Sequence, residues 1–274
     1  MNAFYKSFLR DGSGFGWLRA ERPRVHLAAF GKHPGWDDHM DDLGLDTDSL
    51  VALKRILYLE GIARNLATGA WEQLDEAARL PGFNHLFRWQ RGAQFLLGRI
   101  WSSRDGKGRA HFPMILCAHV LGPPAPATEQ IESVLRDLHQ QCIGTDRAAA
   151  VQELVAHALD VLRRAAASDE SPGNPPEPMD LGELPELSNF HRGEFRPRTD
   201  PAAQVARISV PAEAPPQGLE TWLAALRERL DEDAPVLLLA PLSPGRDWID
   251  VIAGEPAAAD FFCLRAASLP SECP

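Results

Sequence analysis

The chain has 274 residues, 45% of them hydrophobic and 24% charged, and a formal net charge of −10. A chain of this length can bury a substantial core. The acidic charge disfavours a general nucleic-acid binder and adhesion to an anionic membrane, because both of those surfaces are themselves negative. No apolar run is long enough to span a bilayer, and the N-terminus lacks a signal-peptide core. We therefore predict no nucleic acid partner, no membrane insertion and a cytoplasmic location.

The four cysteines are widely spaced and form no CxxC pair, which disfavours a zinc ribbon or a redox dithiol. Two of them, Cys117 and Cys263, lie in apolar runs, where a buried free thiol is the ordinary interpretation. This cysteine usage agrees with a reducing compartment.

In the first part of the chain, the sequence predicts an arm, a strand and a helix. Residues 1–24 carry aromatic and basic residues without the apolar core of a signal peptide, and we predict a partly ordered arm there. The apolar run VHLAAF, residues 25–30, predicts a buried strand. Leu50, Leu53 and Leu57 repeat at helical spacing and predict an amphipathic helix.

The middle of the chain predicts three strands and two helices. NHLFRWQ and AQFLLGRIW are β-like runs joined at Arg91-Gly92. After the loop SSRDGKGRAH, the run FPMILCAHV is apolar nearly throughout, which is typical of a strand covered on both faces. Two apolar stripes at helical spacing, within 131–138 and 151–162, predict helices that pack on the sheet.

The last part of the chain begins with a change of composition. Residues 168–190 are acidic and rich in proline and hold no lysine or arginine, which predicts a mobile loop. The run at 203–210 predicts a strand, and an apolar stripe at 219–230 predicts a helix. PVLLLAPL, DWIDVIAG and FFCLRA predict closing strands, the first two as a hairpin. Because strands and helices interleave, we predict an α/β fold with a mixed sheet flanked by helices, in a single domain over 25–274.

The stretch FGKHPGWDDHM, residues 30–40, concentrates side chains that bind metals. His33, Asp37, Asp38 and His39 are candidate ligands for a transition metal. Their spacing matches no closed zinc pattern, and no HExxH helix completes a site. Local hydrogen bonds within a turn are the alternative explanation. A metal-dependent hydrolase that uses residues 33–39 therefore stays a second hypothesis.

The stretch SSRDGKGRAHFP offers three cations, Arg104, Lys107 and Arg109, that would suit a carboxylate or phosphate group of a partner. The same Asp-Gly and Lys-Gly pairs also suit a simple turn between two strands. No G-x-S-x-G elbow is present, and nothing specifies a group that would orient a serine and a histidine for catalysis. We predict no catalytic residue, no metal and no cofactor.

Taken in order, these two stretches resemble the TagF/ImpM family, which is associated with bacterial type VI secretion. The first stretch matches that family's Gly-Lys-x-Pro-x-x-x-Asp opening, and the second matches its Ser-x-Asp-x-x-Gly-Arg-x-Phe-Pro-Leu segment. One extra residue stands between Arg109 and Phe112, Met114 replaces the leucine, and the family's Trp-Trp segment near the end is absent. The matching residues are Gly31, Lys32, Pro34, Asp38, Ser103, Asp105, Gly108, Arg109, Phe112 and Pro113.

The resemblance implies a three-layer α/β/α sandwich that binds proteins and is not known to catalyse. It further implies a cytoplasmic regulator or adaptor whose partner is a forkhead-associated scaffold protein of a secretion system. In that case the matching residues bind the partner or give the loops their structure.

The positions of the two stretches also predict a contact. One loop leaves the first strand and the other enters the apolar strand at 112–120. We therefore expect the loops to lie against each other at one end of the sheet, with Asp38 and Arg109 as an ion pair.

Overall fold

The apolar runs of the sequence form strands of one sheet. The computed structural model describes residues 24–122, 128–167, 204–210, 218–227, 230, 234–243, 245 and 247–267. The order across the sheet is β1-β4-β3-β2-β6-β7-β5, so strands from both sides of the range 168–203 belong to it. The strands are β1 (Arg24–Gly31), β2 (Asn84–Arg91), β3 (Gln94–Ser102), β4 (Pro113–Leu121), β5 (Gln204–Ser209), β6 (Val236–Pro241) and β7 (Trp248–Ala253).

The prediction of a mixed sheet in a three-layer α/β/α sandwich is wrong. All six strand pairs of the described sheet are antiparallel, so the fold is α/β with a single antiparallel sheet. Consecutive strands β2, β3 and β4 fold back on one another, and β6 and β7 do the same, which parallel neighbours cannot do without a crossover. Periodicity in the sequence identifies a strand but carries no information about its direction.

Five α-helices accompany the sheet among the described residues. A π-helix, Lys54–Ile62, joins the first two, and short 3-10 helices occur at Glu76–Ala78 and Ala258–Arg265. No helix in the described ranges is both long and apolar enough to cross a bilayer. The α-helices are α1 (Asp48–Leu53), α2 (Ala63–Ala67), α3 (Thr128–Ile143), α4 (Ala148–Ala167) and α5 (Leu219–Arg227).

Strand β4 divides its side chains between two hydrophobic clusters. Leu116 and Val120 belong to the cluster that contains the buried faces of α3 and α4. Ile115 and Cys117 belong to the cluster that contains the π-helix and the C-terminal 3-10 helix. Successive residues of a strand point to opposite faces of the sheet, so an apolar run without alternation is buried on both faces. The prediction of a strand covered on both faces is confirmed.

The prediction of a strand at FFCLRA is wrong, because all of this segment except its last residue, Ala266, lies in the 3-10 helix Ala258–Arg265. The Asp260 carboxylate accepts a hydrogen bond from the Ala257 backbone at 2.7 Å and caps the helix. Both sheet positions beside β7 are already taken by β6 and β5. The run is therefore not a neighbour of β7 in the sheet, and it buries Phe261, Cys263 and Leu264 as a helix.

The predicted arm, 1–24, and the predicted acidic loop, 168–190, lie outside the described residues, apart from Arg24, with which β1 begins. The outer edge of β1 is covered by the following segment of chain. Ala29 and Leu43 exchange two backbone hydrogen bonds of 3.0 Å. This pairing shields an edge strand that would otherwise present unpaired backbone groups.

His139 on α3 is a buried histidine with an unusual environment. Its ring contacts Trp101 of β3, with 4.2 Å between the ring centroids, and only 6% of the residue is exposed. Within the described residues, neither ring nitrogen has a hydrogen-bond partner. Burial, with a smaller effect from Arg99, lowers the pKa of His139 to about 4.

We predict that His139→Phe reduces the acid sensitivity of the fold. Between pH 6.5 and about 4, the unfolded chain protonates His139 while the folded chain keeps it neutral, so the free energy of unfolding falls as the pH falls. The variant should lose this contribution, which corresponds to about one proton taken up on unfolding, and keep the ring contact with Trp101. Urea unfolding at pH 6.5 and near pH 4 measures the free energy of unfolding of the wild type and of the variant. An equal fall in the two proteins would contradict the prediction.

Candidate functional site

The two motif-bearing loops meet at one end of the sheet. We define loop A as residues 32–39 and loop B as residues 103–112. Strands β1 and β4 are antiparallel neighbours with Gly31 opposite Met114, so the end of one strand lies beside the start of the other. The Gly106 N–H donates to the Trp36 carbonyl at 2.7 Å, and Arg109 Nη2 donates to the Asp37 carbonyl at 2.8 Å. The predicted contact between the loops is confirmed.

A buried ion pair joins loop A to loop B. Lys32 Nζ lies 2.6 Å from Asp105 Oδ2, although the two residues are 73 positions apart. The side chain of Lys32 is 5% exposed and that of Asp105 is fully buried. Lys32 Nζ also donates to Asp38 Oδ1 at 2.8 Å. The lysine therefore contacts one buried and one exposed carboxylate.

Asp105 organises the backbone of loop B. Its Oδ1 accepts the backbone N–H groups of Lys107 and Arg109, both at 3.0 Å, and its Oδ2 accepts from Arg109 Nε at 2.7 Å. Burial alone raises the pKa of the Asp105 carboxyl, but the hydrogen bonds from Lys32 and Arg109 outweigh it, and the net pKa lies well below its usual value. Asp105 is therefore an anion that holds the turn in shape.

The outer part of the cluster is exposed. Arg109 Nη2 lies 3.2 Å from Asp38 Oδ1, and 48% and 64% of these side chains are exposed. Lys107 and Asp37 form a looser pair, at 3.9 Å. The hydrogen bond from Lys32 lowers the pKa of Asp38 to about 2, with a smaller contribution from Arg109. We call these six residues the ion-pair cluster: Lys32, Asp37, Asp38, Asp105, Lys107 and Arg109.

The predicted Asp38–Arg109 pair is confirmed, but it is not the centre of the cluster. The sequence interpretation missed the pair between Lys32 and Asp105. Lys32 directly follows a strand that is buried almost throughout, which could have indicated that it needs a buried carboxylate. Asp105 gave no such signal, because an Asp-Gly pair is also typical of an exposed turn.

His33 does not form a metal site with its neighbours. Its Nε2 donates to the Cys142 carbonyl at 3.0 Å, and its Nδ1 accepts the Gly35 N–H at 3.0 Å. Burial lowers the pKa of His33, which keeps the ring neutral. His39 instead contacts Asp38 at 3.1 Å. In the described part of the chain, no three His, Cys, Asp or Glu side chains are grouped to hold a metal ion, so the hydrolase hypothesis finds no ligand set there.

The remaining motif residues surround the ion-pair cluster. The Pro113 carbonyl accepts the Lys32 N–H at 3.1 Å, and the Gly108 N–H donates to the Asp105 carbonyl at 2.9 Å. Phe112 packs its ring edge-on against His39, with 5.1 Å between centroids. Pro34 and Ser103 line a cavity beside the ion-pair cluster.

The cavity also involves residues that the sequence interpretation did not select. Trp101 comes from the end of β3, and Cys142 and Ile143 come from the last turn of α3. The only sequence signal is that Trp101 immediately precedes the second motif. Their position beside loop A depends on how α3 packs on the sheet.

No protein-family model matches the chain, and no curated protein matches it. Among solved structures, the chain is similar to PA0076 from Pseudomonas aeruginosa PAO1, with 15% sequence identity and a TM-score of 0.44. The match covers 90% of this chain and 97% of that chain. A likeness of this degree does not bear on function.

We predict that Lys32→Ala destabilises the protein far more than Asp38→Ala does. Removal of Lys32 leaves the buried Asp105 with the half-exposed Arg109 as its remaining cation, and breaking a buried pair in this way costs up to roughly 3–5 kcal/mol. Asp38→Ala keeps the Lys32–Asp105 contact and removes an exposed carboxylate, so its effect should be small. Urea unfolding at neutral pH measures the free energy of unfolding of both variants. Equal losses of this free energy would show that the buried pair is not the centre of the ion-pair cluster.

We predict that Gly31→Ala disrupts the site and that Gly108→Ala is tolerated. Gly31 has a φ of +116°, and a Cβ there would lie 2.2 Å from the Pro113 carbonyl oxygen, which is fixed backbone. Gly108 has a φ of +81° but open space around it, so alanine should cost only about 1–2 kcal/mol of backbone strain. Amide exchange in loops A and B and unfolding curves measure the effect of each substitution. Similar exchange and similar stability in the two variants would contradict the prediction.

Proposed function

We propose that this protein is a non-enzymatic adaptor or regulator of the type VI secretion-associated kind. It acts by binding a protein partner, a forkhead-associated scaffold of the secretion system. The observation that carries the proposal is the meeting of the two motif stretches. Residues that match the TagF/ImpM pattern in two distant stretches contribute to one cluster at the end of β1 and the start of β4.

The shape of the cluster supports a binding role. Its inner pair is buried, whereas Asp37, Lys107 and Arg109 are exposed. Arg109 is held in place by its bond to Asp105 at 2.7 Å, and a charged side chain that is already held loses little conformational freedom when a partner binds. Such a surface favours partners with a complementary charge pattern and steers their approach. The buried pair thus fixes the loops, and the exposed charges are the groups that a partner meets.

The proposal assigns the motif residues to two tasks. Gly31, Lys32, Asp105 and Gly108 maintain the loop structure. The second task is to contact the partner. Arg109 takes part in both, because its Nε holds Asp105 while its Nη2 reaches Asp38 at the surface. No residue is assigned a role in catalysis.

We predict that reversing an exposed charge of the cluster weakens the partner complex without unfolding the protein. The chain and the forkhead-associated scaffold of the same organism are co-expressed and co-purified, and affinity is measured by titration. Lys107→Glu should weaken binding by roughly tenfold or more. The new carboxylate would face the partner group that complements a lysine, and two like charges across an interface are costly. The unfolding curve should change little, because the pair with Asp37 is exposed.

Arg55→Glu is the matched control, because Arg55 also forms an exposed ion pair, with Glu60 at 3.8 Å. The side chain of Arg55 is exposed, and its ion pair shares no residue with the ion-pair cluster. This variant should bind like the wild type. Absence of any complex with the scaffold, or equal weakening by both substitutions, would count against the proposed function.

A further inference from the structure

A cavity of about 370 Å³ lies beside the ion-pair cluster. One wall comes from the end of β3 and from loop B, and the other comes from loop A and the last turn of α3. Apolar side chains contribute much of the lining, notably Pro34, Trp101, Ala110 and Ile143. The volume is within the range of cavities that accept a ligand or a large side chain.

Two side chains of the lining, Trp101 and His33, are held in place by contacts behind the cavity. Trp101 is 6% exposed, and its ring packs at a tilt against the ring of His139. The His33 ring is fixed at both nitrogens, by the Cys142 carbonyl and the Gly35 N–H. A rigid, partly apolar recess loses little entropy on binding, which favours affinity.

An exposed apolar side chain extends the lining to the surface. Ile143 is 59% exposed, and among the described residues only Val51 and Leu59 are comparable large hydrophobics. Ile143 also lines the cavity, whereas the other two lie in α1 and the π-helix. Apolar surface that continues from a recess is characteristic of the centre of a protein interface.

The charge at the rim comes from Arg104. This residue is exposed and lines the cavity. The other charged residues of loops A and B, apart from the histidines, all take part in the ion-pair cluster. Arg104, in contrast, has no carboxylate within ion-pair distance in the described part of the chain. Its guanidinium can therefore form a bidentate pair with a carboxylate from another molecule.

The polar groups of the recess fit a protein segment better than a small molecule. The Ser102 hydroxyl already accepts the Phe83 N–H at 2.8 Å, and His33 is fully engaged. Small-molecule sites usually aim several polar groups at the ligand to orient it. The lining otherwise offers one charged side chain, Arg104, two serine hydroxyls and the Trp101 ring, and tryptophan and arginine are residues that dominate protein interfaces.

We propose that this recess receives an apolar side chain from a protein partner, and that an Asp or Glu beside that side chain pairs with Arg104. The inference rests on the proposed function in taking the occupant to be a protein segment, and it adds the chemistry that the segment must have. Trp101 and Ile143 contact the apolar side chain, and Arg104 selects the acidic neighbour.

The test uses the full chain as bait for a displayed library of random heptapeptides. Enriched peptides should carry an aromatic or aliphatic residue next to Asp or Glu. The most enriched peptide is then synthesised, and its affinity is measured by fluorescence polarisation. We expect Arg104→Glu and Ile143→Ser each to weaken binding at least tenfold.

Two matched controls separate the recess from general effects. Arg163→Glu makes the same charge change at an exposed arginine near the far end of α4, and Leu59→Ser removes an exposed apolar side chain from the π-helix. Both should change the affinity less than twofold. Unfolding curves of all four variants should match the wild type, since each changed side chain is exposed.

The inference is overturned if no peptide is enriched, if the enriched peptides lack the acidic neighbour, or if Arg104→Glu binds like Arg163→Glu. It is also overturned if light scattering shows a dimer that Arg104→Glu dissociates, because the occupant would then be a second copy of the chain. Enrichment as expected without scaffold binding would refute the proposed function alone. Scaffold binding that is sensitive to Lys107→Glu but not to Arg104→Glu would refute this inference alone.

Discussion

The buried ion pair between Lys32 and Asp105 connects the end of β1 to the loop that precedes β4, and the rest of the site depends on it. Each partner is costly to bury alone, because a charge removed from water must be compensated. Asp105 meets this requirement with four hydrogen bonds, and two of them come from the backbone of its own loop. The carboxylate thus shapes loop B while it neutralises the lysine of loop A.

Such a pair contributes less to net stability than to the choice of structure. An apolar pair of similar volume would often be as stable, but it would not prescribe which backbone groups meet. Here the Lys32–Asp105 pair places Arg109 where it reaches both Asp105 and Asp38. Arg109 and Asp38 therefore have a defined arrangement that a flexible, fully solvated loop would not give them. A surface of this kind suits recognition by charge pattern.

The ion-pair cluster and the recess share the two loops but use different sides of them. Lys32 and His33 are adjacent in sequence, yet one joins the ion pairs and the other holds the end of α3 through the Cys142 carbonyl. Arg104 and Asp105 are divided in the same way, between the recess and the buried pair. Each loop therefore couples the charged surface to the apolar one, and a single protein partner could contact both.

The sequence by itself determined most elements and the meeting of the two loops. Apolar periodicity located the strands and the main helices, because burial imposes a repeat of two or of about 3.6 residues. It failed at FFCLRA, because a short apolar run fits a strand and a helix equally well, and the fold has residues 261–265 in a 3-10 helix. The loop contact was predictable because it needed only that β1 and β4 be neighbours.

Only the tertiary structure decided the direction of the strands, the partner of Lys32 and the recess. Strand direction depends on how the connections pass over the sheet, which local patterns do not record. The Lys32–Asp105 pair joins residues 73 positions apart, and an aspartate in an Asp-Gly turn has the same sequence whether it is exposed or buried. The recess forms where the end of α3 approaches loop A, so its residues acquire a common role only through packing. Sequence patterns report the environment of each residue along its own element, whereas contacts between elements are set by the fold.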